Sequence, residues 1–113
     1  MKGNIIDLQL KKITKADGTV IPKIAIKVKY VGEDGQSHEA SNLFNQDYIV
    51  KYVKEQNGIT SDQLIGREVG IFLKEETFVD KKTNQQKTVK RLDNFFLLDV
   101  NGKFIKFKQN LGF

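Results

Sequence analysis

Apolar side chains recur at every second position over most of this chain, and that period is the mark of half-buried β-strands. Between Asn4 and Leu10 the alternating residues are Ile6, Leu8 and Leu10, which predicts that these three share the core face. Between Val20 and Val31, Ile24, Ile26, Val28 and Tyr30 alternate with Lys23, Ala25, Lys27 and Lys29, so one face is apolar and the other a ladder of lysines. From Arg67 the period returns, with Val69, Ile71 and Leu73 on one face and Gly70, Phe72 and Lys74 on the other. The segment from Lys87 to Leu98 reads as the returning strand, and Lys103 to Phe107 as a short sixth. The dipeptides Asp17-Gly18 and Asp34-Gly35 predict tight hairpins with positive φ at both turn positions. The polar stretch Asp80 to Gln86 predicts a longer loop.

One segment breaks the pattern. From Asp47 to Glu55, Tyr48 or Ile49 falls three and four residues from Tyr52 and Val53, the spacing of a short amphipathic helix. Asn45 or Asp47 is available as its N-cap and Asn57-Gly58 as its stop, and a second short turn follows at Thr60-Ser61-Asp62. Three meandering strands, a helix and two further strands match the OB-fold, a five-stranded Greek-key barrel with its helix between strands three and four. A split β-sandwich or a pleckstrin-like barrel shares much of this order. The 113 residues fit one mainly β domain, since domains commonly run to about 100–150 residues. Residues 1–108 are expected to form it, with 109–113 as a mobile end.

The composition argues against catalysis. His38 is the only histidine, it sits between Ser37 and Glu39 on a strand, and neighbouring strand residues point to opposite faces. With no cysteine, only carboxylate sites for a metal remain, and Glu75, Glu76 and Asp93 are better explained by cross-strand pairing with Lys74, Lys90 and Arg91. No phosphate-cradling glycine loop is present, so neither an enzyme nor a cofactor is expected. No long apolar run or signal-peptide pattern occurs, so a cytoplasmic protein without membrane contact is expected.

Charge and aromatic content favour binding. Residues 80–91 hold five of the 19 basic residues, Lys81, Lys82, Lys87, Lys90 and Arg91, against one of the 14 acidic ones, Asp80. Lys11, Lys12 and Lys15 surround the first turn, and Lys23, Lys27 and Lys29 cross the space between the two basic loops. Non-specific binders of single strands join such a cationic groove to rings on which bases stack. By strand parity Phe72 points outward beside Lys74, Phe78 lies at the mouth of the basic loop, and one of Phe95 and Phe96 faces the surface. Tyr30 is included in the candidate surface although its parity is that of the core.

These features resemble small phage-encoded single-stranded DNA-binding proteins, particularly those of siphophages infecting lactic-acid bacteria. The resemblance rests on chain length, on Asn4-Ile5-Ile6-Asp7-Leu8, on Leu64-Ile65-Gly66-Arg67-Glu68-Val69 and on the basic connection from Asp80 to Arg91, over residues 1–107. It implies an OB-fold protein of the host cytoplasm that coats single-stranded DNA during replication or recombination, assembles as a homo-oligomer and meets other replication or recombination proteins. The chain departs from cellular proteins of this kind in ending Lys106-Phe107-Lys108-Gln109-Asn110-Leu111-Gly112-Phe113, without their acidic tail. An RNA-binding OB domain and a replisome protein-interaction module are the rival expectations.

Overall fold

A computed structural model describes residues 1–107. Six strands, β1 (Lys2–Thr14), β2 (Val20–Val31), β3 (Ser37–Asn45), β4 (Glu68–Val79), β5 (Gln86–Leu98) and β6 (Phe104–Ile105), form one antiparallel sheet. The strand order is β3-β2-β1-β4-β5-β6. A helical segment stands between β3 and β4, as the change of period requires. The sheet has six strands and is open, so the expected closed barrel of five is not what is seen. Its first and fifth members approach without a ladder, through the Asn42 side-chain amide, which donates to the Leu92 carbonyl at 2.7 Å.

The β1 register corrects the sequence reading. Ile5 pairs with Val28 and Asp7 with Lys27, which leaves Ile6 as the extra residue of a bulge. A bulge inserts one residue on one side of a ladder and resets the alternation beyond it. Ile5 therefore joins the core with Val28, while Ile6 is exposed. Leu8 and Leu10 face inward opposite Ile26 and Ile24, yet Leu10 lies so far along the hairpin that it remains 74% exposed.

Core residues come from all of the first five strands and from the helical segments between β3 and β4, with Ile26, Val69, Leu92, Phe95 and Leu97 fully buried. Each such side chain contributes about 1.5–3 kcal/mol relative to exposure. The helix α1 (Gln46–Ile49) continues as a π-helix over Val50–Glu55, where Gln56 N–H reaches back to the Lys51 carbonyl at 2.9 Å. Asn45 occupies the N-cap position without a capping bond, because its side-chain oxygen accepts from Lys23 Nζ at 2.5 Å. The buried Tyr52 hydroxyl accepts from Leu97 N–H at 2.7 Å and donates to the Ile105 carbonyl, so the helix pins β6 to β5. Burial pushes its pKa up to about 12, which keeps the hydroxyl a donor at all ordinary pH. The second turn, α2 (Ser61–Leu64), starts with a reciprocal capping box between Thr60 and Gln63.

The Asp-Gly turns differ from expectation as well. Only Gly18 and Gly35 take positive φ, while Asp17 and Asp34 do not. Gly18 N–H donates to the Lys15 carbonyl and Lys15 N–H to the Thr19 carbonyl, which is a three-residue loop ending in a left-handed glycine. The carboxylate oxygen of Asp17 accepts from Thr19 N–H at 2.9 Å and that of Asp34 from Gln36 N–H at 3.0 Å.

Two hairpins leave the core. Every residue from Lys11 to Val20 is exposed, as is every residue from Lys74 to Val79 and from Lys81 to Thr88. β1 and β4 share only Lys2–Asn4 and Glu68–Gly70, and they run antiparallel, so these arms depart from that junction in opposite senses. They account for a radius of gyration of 16.2 Å and extents of 53 × 45 × 27 Å. A compact chain of this size has a radius nearer ~13 Å.

Candidate nucleic-acid interface

The outward face of β1–β2–β3 is read directly from the register. Lys11, Lys23 and Asn45 form one row across the three strands, Asp7, Lys27 and Ser41 another, and Asn4, Lys29 and Glu39 a third. Like charges directly opposite one another destabilise a ladder. Lys11 nevertheless faces Lys23, and among the described residues the only side-chain partner of this pair is the neutral Asn45. Lys12 pairs with Pro22 on the reverse side of the arm, and Lys15 sits at its tip.

The second arm is more nearly balanced. Lys74 faces Arg91, and Glu76 receives both, at 3.6 Å from Lys74 Nζ and 2.7 Å from Arg91 Nε. Glu75 lies opposite Lys90 on the reverse side. This matches the cross-strand pairing expected for Glu75 and Glu76, whereas Asp93 falls at the register shift between Leu92 and Asn94 and has no partner in the ladder. Asp80 accepts from Lys87 Nζ at 3.0 Å, and its backbone bond from Lys82 N–H holds its carboxyl below the usual range. The ammonium groups of Lys81 and Lys82, at the tip, have no side-chain partner among the described residues. Phe78, opposite Lys87, is 46% exposed.

Parity holds on β4. Val69 and Ile71 are buried and Phe72 is 44% exposed on the outer face. It belongs to a cluster. Its ring lies 5.6 Å from Phe96 and 5.5 Å from Phe104, both edge-on, while Phe96 and Phe104 stack at 5.6 Å. Of the adjacent pair on β5, Phe95 fills the core and Phe96 faces out. Gly70 makes the cluster possible, since a Cβ there would stand 2.2 Å from the Phe104 ring. Lys2 lies across the ladder from Gly70, and Lys106 follows Phe104 by two residues just past the end of β6.

Phe96, Phe104, Lys2 and Lys106 were absent from the sequence-derived candidates. The signal that could have found them is Gly70, because a glycine inside an apolar strand marks close approach by another group. Tyr30 must be withdrawn from that set. It is 6% exposed and packs with Ile26 and Val28, as its parity dictated. The remaining candidates do not converge on one patch. Lys11, Lys23, Lys27 and Lys29 share the β1–β2–β3 face, whereas Phe72, Lys74, Phe78, Lys87 and Arg91 share the outer face of β4–β5.

His38 is exposed, and its Nε2 contacts both carboxylate oxygens of Asp34 at 3.0 Å. That bond and the Gln36 N–H hold the Asp34 carboxyl below its usual range, the backbone contact being the larger cause. No helix among the described residues is long and apolar enough to cross a membrane. No protein-family model, curated protein or solved structure matches the chain.

Proposed function

We propose that this protein binds single-stranded DNA without sequence preference and without catalysis, on an OB-type fold. The observation that carries the reading is the outward cluster of exposed Phe72 and Phe104 with half-buried Phe96, on a face that also carries Lys74 and, opposite Gly70, Lys2. A base can stack on any phenyl face, which contributes about 1–3 kcal/mol, and the lysines supply the phosphate contacts. The uncompensated Lys11–Lys23 pair supports the same reading, since an anion resting between them would relieve their repulsion. The helix between β3 and β4, together with the Asn42–Leu92 bond that brings β3 against β5, supports an OB-type arrangement. On the family resemblance, the protein would coat DNA in phage replication or recombination as an assembly of copies.

The test is a titration of a fluorescent oligo-dT of about 30 nucleotides at two salt concentrations, with duplex and RNA competitors. Tight binding that weakens with salt and resists duplex competition is expected. Absence of binding at low salt removes the proposal, and equal competition by RNA moves it to the RNA-binding alternative. One observation favours a protein-interaction role instead. A mostly apolar groove lined by Leu8, Leu10, Ile24, Val50, Val53 and Ile65 opens between β1–β2 and the helical segment.

A further inference from the structure

The β4–β5 arm has a shape that single-strand binding does not use. Past Leu73 and Leu92 it is a two-stranded ribbon with no strand paired to either edge among the described residues, because β1 pairs with β4 only through Gly70 and β6 pairs with β5 only at Leu97 and Leu98. Isolated two-stranded ribbons are marginal in water and free edges invite aggregation. This one extends through six further pairs, from Lys74–Arg91 to Val79–Gln86, and every residue in them is exposed except the half-buried Val89.

Its charges are distributed around the ribbon rather than along one side. Lys74, Lys87 and Arg91 project from the outer face, Lys90 from the reverse face, and Lys81 and Lys82 from the tip. A single strand presents one line of phosphates and engages one side of such an element. A duplex groove presents two lines, one on each wall. The major groove, ≈ 12 Å wide, admits a two-stranded ribbon. Phe78 and Val79 are exposed on opposite faces near the tip, where apolar contacts to thymine methyl groups or base edges become available.

We infer that the β4–β5 ribbon enters the groove of duplex DNA, so that the preferred ligand is a junction of single-stranded and double-stranded DNA. The aromatic cluster at the base of the ribbon then meets the unpaired strand, and the ribbon meets the adjoining duplex. This inference rests on the single-strand reading proposed above and names the substrate class of that site.

The experiment compares the full chain on three labelled ligands: a single strand, a blunt duplex, and a duplex carrying that single strand as a tail. Two variants are measured beside it. In one, residues 76–89 are replaced by a two-residue Asn-Gly turn, which keeps the Glu75–Lys90 register. The other is Lys81→Ala with Lys82→Ala, which leaves the ribbon intact and decides the matter if the shortened chain shows no cooperative melting. The tailed duplex is expected to bind at least about tenfold more tightly than the strand alone, with a steeper salt dependence because duplex contacts add to the slope. Both variants should lose most of that excess. A wild-type protein that binds the strand but gains nothing from the duplex overturns this inference and leaves the single-strand reading standing. Binding to neither ligand overturns both. A blunt duplex bound as tightly as the tailed one, or a shortened variant that keeps the preference, also overturns the assignment.

Discussion

Phe72 exposes a large apolar ring where a solvent-facing strand position would ordinarily carry a polar residue, and its neighbour Phe104 does the same beside the half-buried Phe96. If bases stack there, Phe72→Ala should weaken oligo-dT binding about tenfold or more, with the melting temperature little changed. Gly70→Ala tests the support beneath the cluster. A methyl group at that position must displace the Phe104 ring, so both stability and strand affinity should fall, as read by thermal melting and anisotropy. Tyr52→Phe should lower stability. It leaves the Leu97 N–H and the Ile105 carbonyl without their bridge, at a cost of about 1–3 kcal/mol in a denaturant titration. The exposure of Phe72 was legible from parity, whereas the partnership with Phe104 was not. Residues 72 and 104 meet only because β6 folds back along β5, and that placement depends on the Tyr52 hydroxyl.

At the scale of the element, the first hairpin carries a diagnostic conflict between stability and binding. Lys11→Glu converts a repulsive cross-strand pair with Lys23 into an attractive one and should stabilise the fold by about 0.2–1 kcal/mol. The same change should weaken DNA binding. A solvated lysine ladder with no ligand predicts the gain in stability without the loss in affinity, so melting and titration of one variant separate the two. The hairpin ends also titrate. Asp17, Asp34 and Asp80 accept backbone N–H bonds that lower their pKa below the ordinary 3.8. The order they give to their turns is therefore complete above that value and is lost as pH falls through the lower folded values. Amide resonances of Thr19, Gln36 and Lys82 followed by NMR should show midpoints below 3.8.

For the molecule as a whole, affinity is expected to follow the number of phosphates neutralised. Each contact adds a slope near −0.7 for single strands and −0.9 for duplex, so on the tailed duplex replacing Lys15, Lys81 and Lys82 by alanine should flatten the salt dependence by about 2.5. Those three lysines lie at the two tips, far along arms that leave the β1–β4 junction in opposite senses. A loss confined to one arm would show that the strand is held on one side only.

Much of this architecture followed from local pattern. Period-two alternation determined the strands, the Asp-Gly pairs determined where the chain turns back, and the three- and four-residue spacing of Ile49, Tyr52 and Val53 determined a helix. Parity alone placed Phe72 outward and Tyr30 inward, because alternation is a property of each strand by itself. The mobile end expected at residues 109–113 lies outside the described residues. What required the tertiary structure was everything set by pairing between distant segments. The bulge at Ile6 exchanged one core residue for another, since register is fixed by the partner strand and not by the strand's own sequence. The same holds for the aromatic cluster over Gly70 and for the two arms. A strand reads alike whether it is covered or free, and only the early end of its neighbours leaves the ribbon standing in solvent.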